Sequence, residues 1–396
     1  MSRIAFIIEG NPLIARGQFN ASISRIKFIN QLSNAFTIDV FCISSTSTIL
    51  FRLFQGGKKK KKYESIEVDG INIKMLWKTW YLTDYLLFVK LHKKKYFARK
   101  EIDGFVDLFA GYDLISAHSD GPAQIAVRVH QKYRVPFCVT WHGSDIHTLP
   151  FTNASERIKI VDAIEQADYN FFVSKALLDC SNRLTLKGKK KVLYNGVDPE
   201  FTLYSDESKR ALKHKYTNEE CKIVGFVGNL FKIKNAALLP DIFQAISNRY
   251  HQKIQFWIIG DGNQRSIIED KLSRMNIECK LWGNQQKAVM PDFMNCIDVL
   301  VLPSQNEGLP LVVLEALSCG AQVVASDVGG IAEVIGKDNV VDVKSNTFIN
   351  NFANKVCCLL EENKPLPKID SKFSWEETAK NESAVYEQVL SDYNHK

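Results

Sequence analysis

Asp298-Val-Leu-Val-Leu-Pro303-Ser-Gln-Asn-Glu307-Gly308-Leu-Pro310-Leu-Val-Val-Leu-Glu315-Ala-Leu-Ser-Cys-Gly320-Ala-Gln322-Val-Val-Ala-Ser-Asp327 sets two short apolar runs on either side of a loop and a helical pattern. The first run, closed by Pro303, reads as a buried parallel strand, and residues 322–327 read the same way. The segment between them is then the loop and helix of a β-α-β unit. Pro310 suits the first helical turn, where its missing N–H costs nothing, and Gly320 suits the stop. Such a unit places a ligand at the carboxyl end of its strand, where the helix start leaves backbone N–H groups without intrahelical partners and ready for a phosphate. Glu307 falls in the loop and Glu315 one to two turns into the helix. A carboxylate beside a phosphate is repelled by it, so both are assigned to sugar hydroxyls, which donate to carboxylate oxygens. On spacing alone the pair reads first as a solvated loop residue and a favourable charge in an early helical turn, and it is the flanking residues that turn the reading to sugar recognition.

Length and composition bound the rest. The chain has 396 residues, too many for one ordinary core, and 45% hydrophobic content fits a soluble globular protein. No run of about eighteen apolar residues stands in it, so no transmembrane helix is expected. Residues 4–8 are too short a run for a signal peptide and read as a first buried strand, which makes the expected location cytoplasmic. Nine cysteines without Cys-x-x-Cys spacing, among them Cys42, Cys138, Cys279 and the adjacent Cys357 and Cys358, read as packed thiols in a reducing compartment. The net charge of +7 concentrates in Lys58–Lys62 and Lys93–Lys95, with Trp77 and Trp80 in the aromatic segment between them. That arrangement suits an anionic membrane face, and so a peripheral membrane location; it equally suits a solvated loop followed by a buried helix. Nothing in the chain matches a nucleic-acid-binding motif.

Strand-like segments at residues 4–8, 37–43, 114–117, 137–141, 169–173 and 191–194 alternate with helical patterns at 20–32, 122–133 and 155–166. After a polar stretch the alternation resumes at 222–228, 256–260, 279–283, 299–302 and 323–325. Alternation of this kind predicts an α/β fold of doubly wound parallel sheets. The expected division is residues 1–200 and 201–375, with a linker near 198–215 and a capped C-terminal helix over 376–396.

The string Pro-Ser-x-x-Glu-Gly-x-Pro-x-x-x-x-Glu-Ala-x-x-x-Gly from Pro303 to Gly320, followed by Val323-Val-Ala-Ser-Asp-Val-Gly-Gly330-Ile-Ala-Glu333, resembles the Glu-x7-Glu signature of the retaining glycosyltransferases of family 4. The resemblance is strong over residues 222–335 and looser before 135. It implies the GT-B architecture, two Rossmann-like doubly wound domains facing across a cleft, with the last helix returning to the N-terminal domain. The implied chemistry is transfer of a sugar from a nucleotide diphosphate donor, a UDP-sugar ahead of a GDP-sugar, with no metal and no cofactor. In the mechanism that the resemblance implies, the leaving phosphate itself deprotonates the acceptor. The implied roles are Glu307 orienting the sugar, Glu315 holding the ribose hydroxyls, and the backbone at Gly308, Leu309, Pro310 and Leu311 receiving the phosphate.

The same resemblance assigns Lys234, in Gly228-Asn229-Leu-Phe-Lys232-Ile-Lys234, to the donor diphosphate. Asn229 stands where the family carries arginine, so one expected cation is missing unless Lys232 or Arg265 replaces it. The turns at Gly260-Asp-Gly262 and Trp282-Gly283 resemble family loops beside the nucleotide, although Gly and Asp suit any β-to-α turn. In the first half, His142-Gly143-Ser-Asp145 resembles the His-Gly-x-Asp element whose histidine lies by the transferred sugar. A metal at His142, Asp145 and His147 is the discounted alternative. His118 suits either an acceptor-facing role or a satisfied surface histidine. Where the family pairs glycines facing the donor phosphate, only Gly17 stands, preceded by Arg16, whose charge is expected to compensate for Asn229.

Taken together, these residues predict a hexosyltransferase-type enzyme serving a lipid-linked or polysaccharide acceptor in cell-surface polysaccharide assembly. The alternative is a glycosyltransferase-like partner or sugar-nucleotide sensor without catalysis, which Asn229 favours. A nicotinamide-dependent oxidoreductase fits two Rossmann-like halves but lacks Gly-x-Gly-x-x-Gly after the first strand.

Overall fold

The structure, a computed structural model, describes the chain except residues 11–16, 51, 52, 54–61, 88–90, 92–103, 218, 219, 363–365, 367, 395 and 396. The chain folds as two compact units, Met1–Tyr194 with Trp375–Lys396, and Asn195–Ser374.

The first unit is built on eight strands: β1 (Ser2–Glu9), β2 (Phe36–Ser47), β3 (Ser65–Val68), β4 (Ile71–Trp80), β5 (Leu114–His118), β6 (Phe137–Trp141), β7 (Tyr169–Phe172) and β8 (Lys190–Val192). They lie in the order β3-β4-β2-β1-β5-β6-β7-β8, parallel throughout except for the β3–β4 hairpin. Ile4 through Ile8 are successively buried, as is all of β5 and β6, and successive strand residues face opposite ways, so both faces of the sheet centre are covered. Helices α1 (Gln18–Leu32), α2 (Asp120–Tyr133) and α3 (Ala154–Gln166) are among the connections. The order reverses between β1 and β5, which puts the topological switch point, where doubly wound sheets bind ligands, beside Glu9-Gly10 and His118.

The second unit holds β9 (Lys222–Val227), β10 (Ile254–Ile259), β11 (Cys279–Gly283), β12 (Val299–Leu302), β13 (Gln322–Ser326) and β14 (Val340–Val341) in the all-parallel order β11-β10-β9-β12-β13-β14. Its switch point lies between β9 and β12. Around it stand α4 (Asp206–Thr217), α5 (Leu311–Ser318) and α6 (Phe348–Glu361), closing a core that runs from Phe201 to Leu360. The last helix, α7 (Trp375–Asn394), belongs to the first unit, where it packs on α1 and buries Ala379, Val385, Tyr386, Val389 and Leu390.

Two segments differ from the sequence expectation. The aromatic segment starts as a strand and not as a helix: Ile71–Trp80 is strand β4, whose alternation of Ile, Ile, Met and Trp with Asn, Lys, Leu and Lys is the period of a strand, and the short stretch Leu82–Tyr85 after it is helical. Part of the polar stretch assigned to a linker is α4, whose Tyr216 stacks on Phe293. Cys358 is exposed while its neighbour Cys357 is buried, because adjacent helix positions point in different directions. Lys58–Lys61 and Lys93–Lys95 lie outside the described residues; Lys62 donates to Thr79 and the Trp77 indole N–H to the Tyr63 carbonyl, 2.8 and 2.7 Å. Trp80 is half-buried at the end of β4. Among the described residues, no helix is long and apolar enough to cross a membrane.

Candidate functional site

In the second unit the loops leaving β9 and β12 meet at the switch point. Lys234 Nζ lies 2.5 Å from Glu307 Oε1, and the buried Ser304 hydroxyl donates to the same oxygen at 2.7 Å. Backbone and amide bonds lock the two loops together: Gln305 N–H to the Ile233 carbonyl, Asn235 Nδ2 to the Pro303 carbonyl and Gln305 Nε2 to Asn235 Oδ1, at 2.8, 2.9 and 2.7 Å. Glu307 is thus held through one oxygen, and among the described residues Oε2 has no hydrogen-bond partner. From the other side Gly330 N–H donates to the Gly308 carbonyl at 2.7 Å. A Cβ on Gly329, at φ +57°, would fall 2.0 Å from the Glu307 carbonyl oxygen, so this loop tolerates only glycine there.

Gly308, Leu309 and Pro310 are buried, and Leu311 opens α5. Pro310 stands one residue ahead of the helix in an extended conformation rather than in its first turn, and Gly320, at φ +87°, follows the helix end. The Leu309 carbonyl accepts from Asn195 Nδ2 at 3.0 Å.

The glycines after β9 and β10 and at the end of β11 are first a packing device. Gly260 N–H donates to the Gly283 carbonyl at 2.8 Å, and Gly228 N–H to the Ile259 carbonyl at 3.0 Å. A Cβ on Gly260 would lie 2.0 Å from the Gly228 oxygen, and one on Gly262 would lie 2.5 Å from the Leu230 oxygen. Their absence of side chains lets three strand-end loops stack.

Glu315 is partly buried on α5, and burial, with Asp198 and Glu200 adding like charge against the opposing Lys287, pushes its carboxyl up to about 8. Lys287 is itself engaged by Asp198 at 2.8 Å and Glu200 at 3.4 Å. Among the described residues Glu315 has no hydrogen-bond partner for its carboxyl. It is a desolvated acid that stays protonated up to about pH 8.

Of the substitute cations for Asn229, only Arg265 is seen engaged in ion pairs among the described residues. Arg265 is tied to Asp261 at 3.1 Å and Glu269 at 2.8 Å, Lys232 is exposed, and Arg16 lies outside the described residues. Asn229 is half-buried, with no partner for its side-chain amide among the described residues.

In the first unit, His142 Nε2 lies 3.0 Å from His118 Nδ1. His118 is wholly buried and stacked on Phe6 at 4.1 Å, so it is neither a surface residue nor acceptor-facing; its position at the end of the central strand β5 puts it in the core. Burial holds both imidazoles well below the ordinary histidine range, and the nearby Arg25 cation pushes in the same direction. Asp145 accepts from the N–H groups of His142 and Gly143 at 3.1 and 2.7 Å, which makes it the clasp of this turn; burial raises its carboxyl to about 6. His147 turns to Thr148 at 2.8 Å instead of joining them. Among the described residues, no three His, Cys, Asp or Glu side chains converge as metal ligands. Gly17 caps α1 at φ +64°, and a Cβ there would meet no atom within 4 Å among the described residues.

Ser304, Asn235, Gly329, Asp198 and Lys287 were not singled out by sequence reasoning. Ser304 and Gly329 carried a signal, the first as the serine of Pro-Ser-x-x-Glu, three residues before Glu307, and the second as one of a Gly-Gly pair after a strand; the rest act through pairings that no local pattern announces.

Comparison with known proteins agrees with this fold. Residues 221–362 match the family model described as glycosyl transferases group 1, and residues 56–201 match the one described as glycosyltransferase family 4. An uncharacterized glycosyltransferase of Methanocaldococcus jannaschii is 29% identical over 296 residues, 71% of this chain and 77% of that protein. A Bacillus subtilis protein named as a teichuronic acid biosynthesis glycosyltransferase, TuaC, is 26% identical over 234 residues, 59% of this chain and 57% of its own. A crystal structure of Anabaena HepE in complex with UDP and glucose superposes with a TM-score of 0.71 at 18% identity, covering 98% of this chain and 100% of that one. With two Rossmann-like units, the Glu-x7-Glu helix at a switch point and both halves matched, the chain belongs to the family 4 glycosyltransferases of GT-B fold.

Proposed function

We propose that this glycosyltransferase moves a hexose from a UDP-sugar, with a GDP-sugar as the second candidate, to a lipid-linked or polysaccharide acceptor, with retention of anomeric configuration and without a metal. The observation that carries the reading is Glu307: one carboxylate oxygen anchored by Lys234 and Ser304, the other left for a sugar hydroxyl, directly before the start of α5. The N–H groups at that helix start and the Lys234 ammonium meet the diphosphate, and Glu315 takes the ribose hydroxyls. In the transfer step the bond from the anomeric carbon to the phosphate oxygen breaks, and the nucleoside diphosphate leaves with its electron pair. The acceptor oxygen bonds to the same face of that carbon, and its proton passes to the leaving phosphate. His142, in the first unit, keeps the hydrogen-bonding role toward the sugar that its His-Gly-x-Asp setting implies. UDP and glucose in the HepE structure and the teichuronic acid name of TuaC support the donor and pathway class.

The test pairs a thermal-shift screen of nucleotide sugars with transfer by Glu307→Gln. Expected is a fall in transfer of at least about 100-fold with UDP affinity kept, since the lost contact serves the sugar and the substitution frees Lys234 for phosphate. Wild-type turnover in Glu307→Gln would sink the proposal. The sensor reading draws on Asn229; it predicts nucleotide-sugar binding with no transfer or hydrolysis by the wild-type chain.

A further inference from the structure

His142 ends a chain of buried polar groups that crosses the first unit. From His142 Nε2 it runs to His118 Nδ1 at 3.0 Å, from His118 Nε2 to Ser116 Oγ at 3.3 Å, from Ser116 Oγ to Tyr386 Oη at 2.7 Å, and from Tyr386 Oη to Glu382 Oε1 at 2.6 Å. Glu382 Oε2 lies 3.3 Å from Arg25, whose Nη2 also donates to the Leu193 carbonyl at 3.0 Å. Arg25, His118, Glu382 and Tyr386 are fully buried. Tyr386 and Glu382 lie one turn apart on α7.

Counting protons gives this chain a direction. Arg25 keeps its charge, and a buried guanidinium calls for an ionised partner, so Glu382 is a carboxylate that only accepts. Oxygens 2.6 Å apart need a proton between them, which only Tyr386 can supply. Its single O–H is then used. The 2.7 Å contact between Tyr386 and Ser116 needs a second proton, and that one comes from Ser116. With its hydroxyl spent, Ser116 faces His118 Nε2 as an acceptor, so Nε2 carries the His118 proton and Nδ1 is bare. Ser22, 3.3 Å from that Nδ1, turns its own hydroxyl to the Gln18 carbonyl at 3.0 Å and does not protonate it. The remaining proton, between His118 Nδ1 and His142 Nε2, therefore belongs to His142.

We propose that α7 sets the tautomer of His142: acting through Tyr386, Ser116 and His118, the Arg25–Glu382 pair keeps the His142 proton on Nε2 and leaves Nδ1 bare. Among the described residues that Nδ1 has no partner, and His142 is only partly buried. It presents a hydrogen-bond acceptor, suited to a substrate hydroxyl and unsuited to a carbonyl or a phosphate oxygen. Tyr386, Ser116 and His118 are positioning residues in this scheme. The role toward a sugar hydroxyl rests on the proposed function; the tautomer does not.

The reading is tested by ring nitrogen-15 NMR of the ligand-free, histidine-labelled full chain, with the His142 signals identified through His142→Gln. Wild-type His118 and His142 are both expected as Nε2–H tautomers. In Tyr386→Phe the Ser116 hydroxyl loses its acceptor and turns to His118 Nε2, so both histidines are expected to switch to Nδ1–H. Ser116→Ala removes the acceptor of His118 Nε2–H and leaves Ser22 as an acceptor at Nδ1, so it gives the same switch and serves if the tyrosine variant does not fold. A wild-type His142 protonated on Nδ1, or a folded variant retaining the wild-type tautomers, overturns the proposal. No donor or turnover enters the readout, so a protein that shows the expected tautomers yet transfers no sugar would refute the proposed function alone.

Discussion

Glu315 is the residue whose chemistry departs furthest from its ordinary behaviour. Its folded pKa of about 8 lies above the usual 4.5, so between those values the folded chain keeps a proton that the unfolded chain has released. Stability therefore falls as pH rises across that window. Glu315→Gln, which carries no charge to desolvate, should be the more stable protein at pH 8.5 and nearly equal to wild type at pH 5. The gap, on the order of 2 kcal/mol after allowance for partial solvent contact, is readable by urea unfolding at the two pH values. A gap that closes with rising pH would contradict the assignment. If ribose hydroxyls donate to this carboxylate, UDP binding near pH 7 releases a proton and tightens toward pH 8, while binding to Glu315→Gln is weaker and flat. Calorimetry in two buffers of different ionisation heat separates these cases.

At the scale of elements, the stacked loops after β9, β10 and β11 explain why glycines recur there. Gly260→Ala would push a Cβ to within 2.0 Å of the Gly228 oxygen at φ +135°, where backbone and not a flexible side chain is in the way. A loss of about 3 kcal/mol or more is expected in thermal or urea unfolding. Gly17→Ala meets no atom of the described residues and bears only the penalty of a backbone conformation, φ +64° and ψ −107°, that residues with a side chain rarely adopt, about 2 kcal/mol. Equal costs at the two positions would show that the loops are not stacked as described. β4 carries a related lesson: its alternation was present in the sequence, but aromatic side chains and lysines drew the reading toward a helix or a membrane surface. Pairing with β2, by contrast, is invisible to local pattern.

For the whole molecule, the decisive element is α7, which completes the first unit from the far end of the chain. Removing it would uncover the cluster of Ile4, Leu114, Phe171 and Leu193 and leave Arg25 buried without Glu382. Losing one partner of a buried ion pair alone costs about 3–5 kcal/mol. A chain ended at Ser374 should lose the calorimetric transition of the first unit and keep that of the second, whose core draws nothing from α7. Two transitions at their wild-type temperatures would refute this division of the core.

Sequence alone was enough for the β-α-β unit from Asp298 to Asp327, the places of Glu307 and Glu315 on it, and most of the parallel strands. These rest on local rules: apolar runs of strand length, proline before a helix and glycine after it. The tertiary structure alone decided which groups meet. Lys234 reaches Glu307 across 73 positions and Arg25 reaches Glu382 across 357. Glu315 is pushed toward neutrality by residues far from it in the chain, and His118 moves from a supposed surface into the core. Hydrophobic periodicity carries the direction of an element and the face it buries, but ion pairs, desolvation and proton order depend on through-space neighbours. Those are set only when the strands have taken their order in the sheet.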